Sequence, residues 1–153
     1  MLNPGQPFPN FELPNQDGNP VRLSSFRGRR LILFAFPKAN TPGCTTQACG
    51  FRDEFPKIEA GDTAVLGVSP DSPGDLRAWK DSQGFPYDLL SDPEHTLLDA
   101  LGAWGERSMY GKKYMGVART TYLIGPDGKV AKRWDNVKVD GHAEEVLEAV
   151  QTL

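Results

Sequence analysis

RLILFAFPKANTPGCTTQAC, residues 30–49, holds a strand signal, a short loop, a helix start and both cysteines of the chain. After Arg30 the run is continuously apolar until Pro37 stops it, as expected of a strand buried on both faces. Thr41-Pro42 then places a capping side chain before a proline suited to the first helical position. A buried strand leading through a few residues into a helix is the beginning of an α/β fold.

The flanking sequence extends that pattern. FELP and VRL enclose the turn-rich NQDGNP and read as a hairpin, while TAVLGVS (63–69) and TTYLIG (120–125) are further buried strands. The last of these passes through Pro126-Asp127-Gly128 into VAKRW (130–134), an antiparallel pair. Ser72-Pro73 and Asp92-Pro93 repeat the helix-start signal, with Gly84 and Gly102 as stops. Asp140 is the expected cap of a fourth helix, in which Ala143, Val146, Leu147 and Val150 have helical spacing. Pro56 is expected to break the first helix. The predicted order is hairpin, β, α, β, α, short β, α, β, β, α. It describes one α/β domain over residues 1–153, with a mixed central sheet and helices on both faces. GERSMYGKKYMG (105–116) is the longest stretch expected to be irregular.

Composition narrows the function. A chain of 153 residues with 39% hydrophobic and 24% charged content suits one ordinary globular core. The net charge of -3 comes without a basic, aromatic-interleaved run, so no nucleic-acid surface is expected. The opening MLNPGQPFPN is not a signal peptide, and LILFAF is far too short to span a membrane. Two cysteines and no export signal point to a reducing cytoplasm, where a C-x4-C pair is catalytic or metal-binding sooner than a permanent staple.

The pair has a defined geometry. With Thr41 as cap, Cys44 takes the third helical position, where backbone N–H groups lack intrahelical partners and a thiolate is stabilised by the helix end. Cys44 also begins an apolar stripe with Ala48, Phe51, Phe55 and Ile58, which would suit a buried, inert side chain equally well. Cys49 lies off that stripe. Residues i and i+5 of a helix have Cα atoms about 8.5 Å apart. A disulfide needs less than about 7 Å. The two thiols cannot bond while the helix is intact, and Gly50 weakens it where it would unwind. A zinc site would need further ligands, but His95 and His142 fall in the first turns of two other predicted helices, a surface setting. A thioredoxin-type C-x-x-C is absent.

PKANTPGC resembles the peroxiredoxin active-site pattern Pro-x-x-x-Thr-x-x-Cys, and CTTQACGFRDEF is similar to the Q-type subgroup, also called bacterioferritin comigratory protein. The likeness continues through NPGQPFPNFELPNQDG, LGVSPDSP, SDPEHTLLDALGAWGE, YMGVARTTYLIGPDGKV and GHAEEVLEAV. It implies a thioredoxin-like fold with an added N-terminal hairpin. It also implies a thiol peroxidase acting on hydrogen peroxide and organic hydroperoxides, with no cofactor or metal. Cys44 is then the peroxidatic residue and Cys49 the resolving one, joined in an intramolecular disulfide that thioredoxin or a similar thiol reductant reopens. Thr41, Pro37 and Arg119 match the remaining motif positions. The Thr41 hydroxyl, the Arg119 guanidinium and the backbone N–H groups of Gly43 and Cys44 are the candidate donors to the peroxide. Gln47 stands where many relatives carry Glu. Trp79, Trp104, Tyr110, Tyr114 and Met115 are candidates for an apolar collar. With no arm beyond Leu153, a monomer is expected. Two other functions fit the residues alone: a protein dithiol–disulfide oxidoreductase, for which the spacing is awkward, and a non-catalytic thioredoxin-fold binding module.

Overall fold

The computed structural model describes residues 2–152; the expectation placed on Leu153 lies outside them. Five strands form the central sheet: β3 (Arg30–Ala35), β4 (Thr63–Ser69), β5 (Asp88–Ser91), β8 (Thr120–Ile124) and β9 (Val130–Trp134). Their order is β5-β4-β3-β8-β9; β3 runs parallel to β4 and antiparallel to β8, so the sheet is mixed as expected. The added hairpin is β1 (Glu12–Pro14) with β2 (Pro20–Arg22), followed by a single 3-10 turn at Leu23–Phe26.

Alternation along β3 divides the core in two. Ile32, Phe34 and Phe36 face α1 (Pro42–Ala60), α2 (Pro73–Gln83) and α4 (His142–Gln151). Leu31, Leu33 and Ala35 face α3 (Thr96–Ala100) and the N-terminal Phe8 and Phe11. Both side-chain sets are fully buried, which explains the continuous apolar run: a strand covered on both faces has no polar side. Gly67 of β4 sits under this packing, where a β-carbon would stand 2.9 Å from Leu89 and 3.0 Å from Phe34 and Phe36. No described helix is long and apolar enough to cross a membrane.

Several expectations need correction. Pro56 does not break α1, which runs on to Ala60; the burial of Phe51 and Ile58 on either side of the proline holds the helix through the missing hydrogen bond. The stretch 105–116 is not irregular. It forms β6 (Trp104–Met109) and β7 (Lys112–Val117), joined at Tyr110-Gly111, both with positive φ. This pair stands apart from the central sheet. Helix α3 begins at Thr96, with Asp92 accepting the amides of Thr96 and Leu98 across an intervening turn. Finally, Gly141, at φ 72, occupies the cap of α4 in place of Asp140.

His142 is buried, not on the surface. Its Nε2 lies 2.9 Å from the Thr121 hydroxyl, and its ring is edge-on to both Phe51 and Trp134. Burial pushes its pKa below the ordinary 6.5, against the opposing pull of Glu145. Between the lowered folded value and 6.5 the unfolded chain binds more protons than the folded one, so stability falls as pH drops through that window. Thermal melts should therefore show Tm declining from pH 7 towards pH 5. His142→Gln should flatten part of that decline; an unchanged slope would remove His142 as its source.

Candidate active site

The end of β3 delivers the chain into the loop 36–41, and the loop is tied down from behind. Ala39 donates its amide to Asp71 at 2.7 Å, and the same carboxylate oxygen accepts the Ser69 hydroxyl at 2.7 Å. Ser91 in turn donates to the Asp71 carbonyl at 2.6 Å. Asn40 takes a left-handed conformation at φ 62, which turns the chain into the helix. Asp71 had no individual signal in the sequence beyond its place after a strand, and it proves to be the anchor of this loop.

Thr41 occupies the cap position of α1 with extended backbone, and its carbonyl accepts the Thr45 amide at 2.8 Å. Its hydroxyl, however, is not the cap: it donates to the Lys38 carbonyl at 2.8 Å. The amides of Gly43 and Cys44 therefore find no backbone acceptor among the described residues. They are open donors at the positive end of a 19-residue helix. Cys44, 1% exposed, sits among them in the apolar stripe, and both cysteines are free thiols.

Arg119 arrives from the far side of the sequence through strand register. Ala35 pairs with Thr120 in the antiparallel β3–β8 ladder, so one further step places Arg119 opposite Phe36 on the face that carries α1. There its guanidinium lies over Gly43, so closely that a β-carbon on Gly43 would stand 2.8 Å from Nη2. Nη1 donates to Gln47 Oε1 at 2.9 Å, and the Arg119 carbonyl accepts the Val137 amide at 3.1 Å. Gln47 is 1% exposed and its Nε2 has no partner among the described residues, so Arg119 is the group that orients its amide. Gly43 matters through its missing side chain as well as its amide, a role the sequence did not reveal.

A groove of about 470 Å³ opens beside this cluster. Pro37 and Arg119 line its inner end; Trp104, Tyr114, Met115 and Arg107 line the part built by the β6–β7 hairpin. Among the described residues that line it, none is acidic. Three of the five collar candidates are thus in place. Trp79 is instead a core residue, 2% exposed and packed on Phe36 and Phe85. Tyr110, 98% exposed at the hairpin tip, is not among the residues that line the groove.

Cys49 belongs to a different neighbourhood. It is half-buried and its thiol donates to Gln83 Oε1 at 3.5 Å, while Arg52 donates to the Gln83 carbonyl at 2.8 Å. Burial pushes the Tyr87 phenol well above the ordinary range, and the nearby Cys49 adds to that rise.

A thiol at an open helix N-terminus, a folded-over guanidinium and a thioredoxin-like sheet define a class, and the chain belongs to the AhpC/TSA family, which it matches over residues 4–133. Within that class it is a peroxiredoxin of the Q type, a thiol peroxidase. It is 48% identical over 141 residues to a protein of Mycobacterium tuberculosis named as a peroxiredoxin, covering 92% of this chain and 90% of that one. Peroxiredoxin Bcp of Bacillus subtilis is 42% identical over 149 residues, covering 97% and 93%. The structure of the bacterioferritin comigratory protein of Xanthomonas campestris, studied for its alkyl peroxide reduction activity, superposes with a TM-score of 0.91 at 33% identity. That match spans 98% of each chain.

Proposed function

We propose that Cys44 is the peroxidatic nucleophile of this enzyme and Cys49 its resolving thiol, within a single domain that acts as a monomer. The observation that carries this reading is the placement of Cys44 beside two open helix amides, with Arg119 laid over Gly43. The Cys44 thiolate attacks one peroxide oxygen: an S–O bond forms, the O–O bond breaks, and the departing oxygen takes a proton to leave as water or alcohol. Charge grows on that oxygen in the transition state, where the Arg119 guanidinium and the Gly43 and Cys44 amides are the donors at hand. Thr41, with its hydroxyl on Lys38, holds the loop and can turn that oxygen towards substrate; Pro37 walls the groove. The Trp104, Tyr114 and Met115 side chains that line the groove suit organic hydroperoxides as well as hydrogen peroxide.

Cys49 then attacks the sulfenic sulfur of Cys44; the S–S bond forms, the S–O bond breaks and hydroxide leaves to become water. A dithiol reductant of the thioredoxin type reopens the disulfide, in keeping with a cytoplasmic setting. The test is NADPH oxidation in the presence of thioredoxin, thioredoxin reductase and peroxide. Wild-type protein should turn over. Cys49→Ser should still form the Cys44 sulfenic acid in one turnover but lose at least about tenfold in thioredoxin-coupled rate. Full coupled activity in that variant would exclude Cys49 as the resolving thiol.

A further inference from the structure

The helix that presents Cys44 has to unwind before Cys49 can reach it, and three hydrogen bonds on the segment between them come from α2 and the residues just after it. Trp79 of α2 donates to the Thr45 hydroxyl at 3.3 Å, and Gln83 of α2 accepts from Cys49. Tyr87, between α2 and β5, donates its hydroxyl to the Ala48 carbonyl at 2.6 Å, one residue before Cys49 and fully inside the core. The Tyr87 ring is fixed away from the segment that unwinds: it stacks on Phe85 at 5.5 Å and meets Phe34 edge-on at 5.9 Å, and its ring contact with α1 is to Phe55, 6.2 Å away and beyond Cys49. The phenol is therefore a rigid post, and the backbone it grips is the part that must move.

From this we infer that Tyr87 is a positioning residue for the resolving step, a latch that favours the wound helix through its bond to the Ala48 carbonyl. The inference rests on the Cys44–Cys49 reading given above. When residues 45–48 unwind, the carbonyl leaves and a buried hydroxyl is left without an acceptor, which strongly disfavours the unwound form. The latch thus slows disulfide formation and lengthens the life of the Cys44 sulfenic acid. A second peroxide meeting that sulfenic acid transfers an oxygen to it, giving sulfinic acid plus water or alcohol. Tyr87 accordingly sets how much peroxide the enzyme tolerates before it is inactivated.

Tyr87→Phe keeps the stacked ring and removes only the hydroxyl. The reduced full-length protein is mixed with hydrogen peroxide, acid-quenched at intervals and analysed by mass spectrometry for sulfenic acid, disulfide and sulfinic acid. Hydrogen exchange of the reduced protein is followed in parallel. In Tyr87→Phe, sulfenic acid formation should match wild type within about twofold, while disulfide forms roughly 3- to 10-fold faster. The sulfinic fraction at high peroxide should fall, and exchange at residues 45–50 should rise by the same factor with β3 and β4 unchanged. Gln83→Ala, which frees the Cys49 thiol, should move the same readouts in the same direction. Unchanged disulfide rate and exchange in Tyr87→Phe would overturn the latch, as would exchange rising equally through β3 and β4. If wild type forms no Cys44–Cys49 disulfide at all, the resolving assignment fails, and the exchange arm still decides whether Tyr87 holds the helix.

Discussion

Cys44→Ser should leave a folded protein that consumes no peroxide, a loss of at least roughly a thousandfold in second-order rate. Serine keeps the size and the hydrogen-bonding reach of the side chain, so the sheet, α1 and the arginine should be undisturbed. What disappears is the only group in the cluster able to attack an O–O bond. Rapid-mixing measurement of peroxide loss, together with an unchanged circular dichroism spectrum and Tm, checks both halves. Retained peroxide reduction in Cys44→Ser would mean that the reacting sulfur is elsewhere. Cys49, the one other sulfur of that kind, faces Gln83 on the far side of the helix.

Arg119→Gln should lower the rate of peroxide reduction by about 10²- to 10³-fold, the usual cost of removing a donor aimed at developing charge. Its large effect should fall on the oxidation step; disulfide formation should not slow, because the lost bond to Gln47 is a contact on the segment that must unwind. Arg119→Lys should recover little, because the guanidinium makes two directed contacts at once: one edge on Gln47 Oε1 and one over Gly43. Gly43→Ala offers an independent route to the same fault, since the new β-carbon would occupy space within 2.8 Å of Nη2 and displace the arginine without changing its chemistry. A wild-type rate in Arg119→Gln would show that the helix amides suffice.

The strands β3, β4 and β8 and the start of α1 were legible because their signals are local and unopposed. An apolar run between turn residues has one reading, and Thr-Pro before a helix has nearly one. The β6–β7 hairpin was not legible, because most of its side chains are exposed and polar and its turn is Tyr-Gly where Asn-Gly would have announced it. Pro56 misled for the opposite reason: local propensity was overridden by burial of the residues around it. In the site, the helix positions of Thr41, Cys44 and Cys49 were readable from spacing, while their roles came from resemblance alone. The place of Arg119 in the site was implied only by family resemblance and its contact with Gly43 was not anticipated, since the two are joined by a sheet register and no short sequence pattern encodes that. Asp71 and the absent side chain of Gly43 had no signal at all, because each acts on backbone or empty space.

The Ala35–Thr120 pairing also divides the chain into parts that tolerate length changes and parts that do not. Residues added at the Tyr110-Gly111 tip would lengthen a ribbon that no strand of the central sheet depends on. A single residue inserted between Arg119 and Thr121 would turn the guanidinium to the opposite face of the sheet, towards α3 and away from Cys44. Among related enzymes, insertions should therefore collect at the hairpin tip, while the spacing from the arginine into β8 stays fixed to the residue.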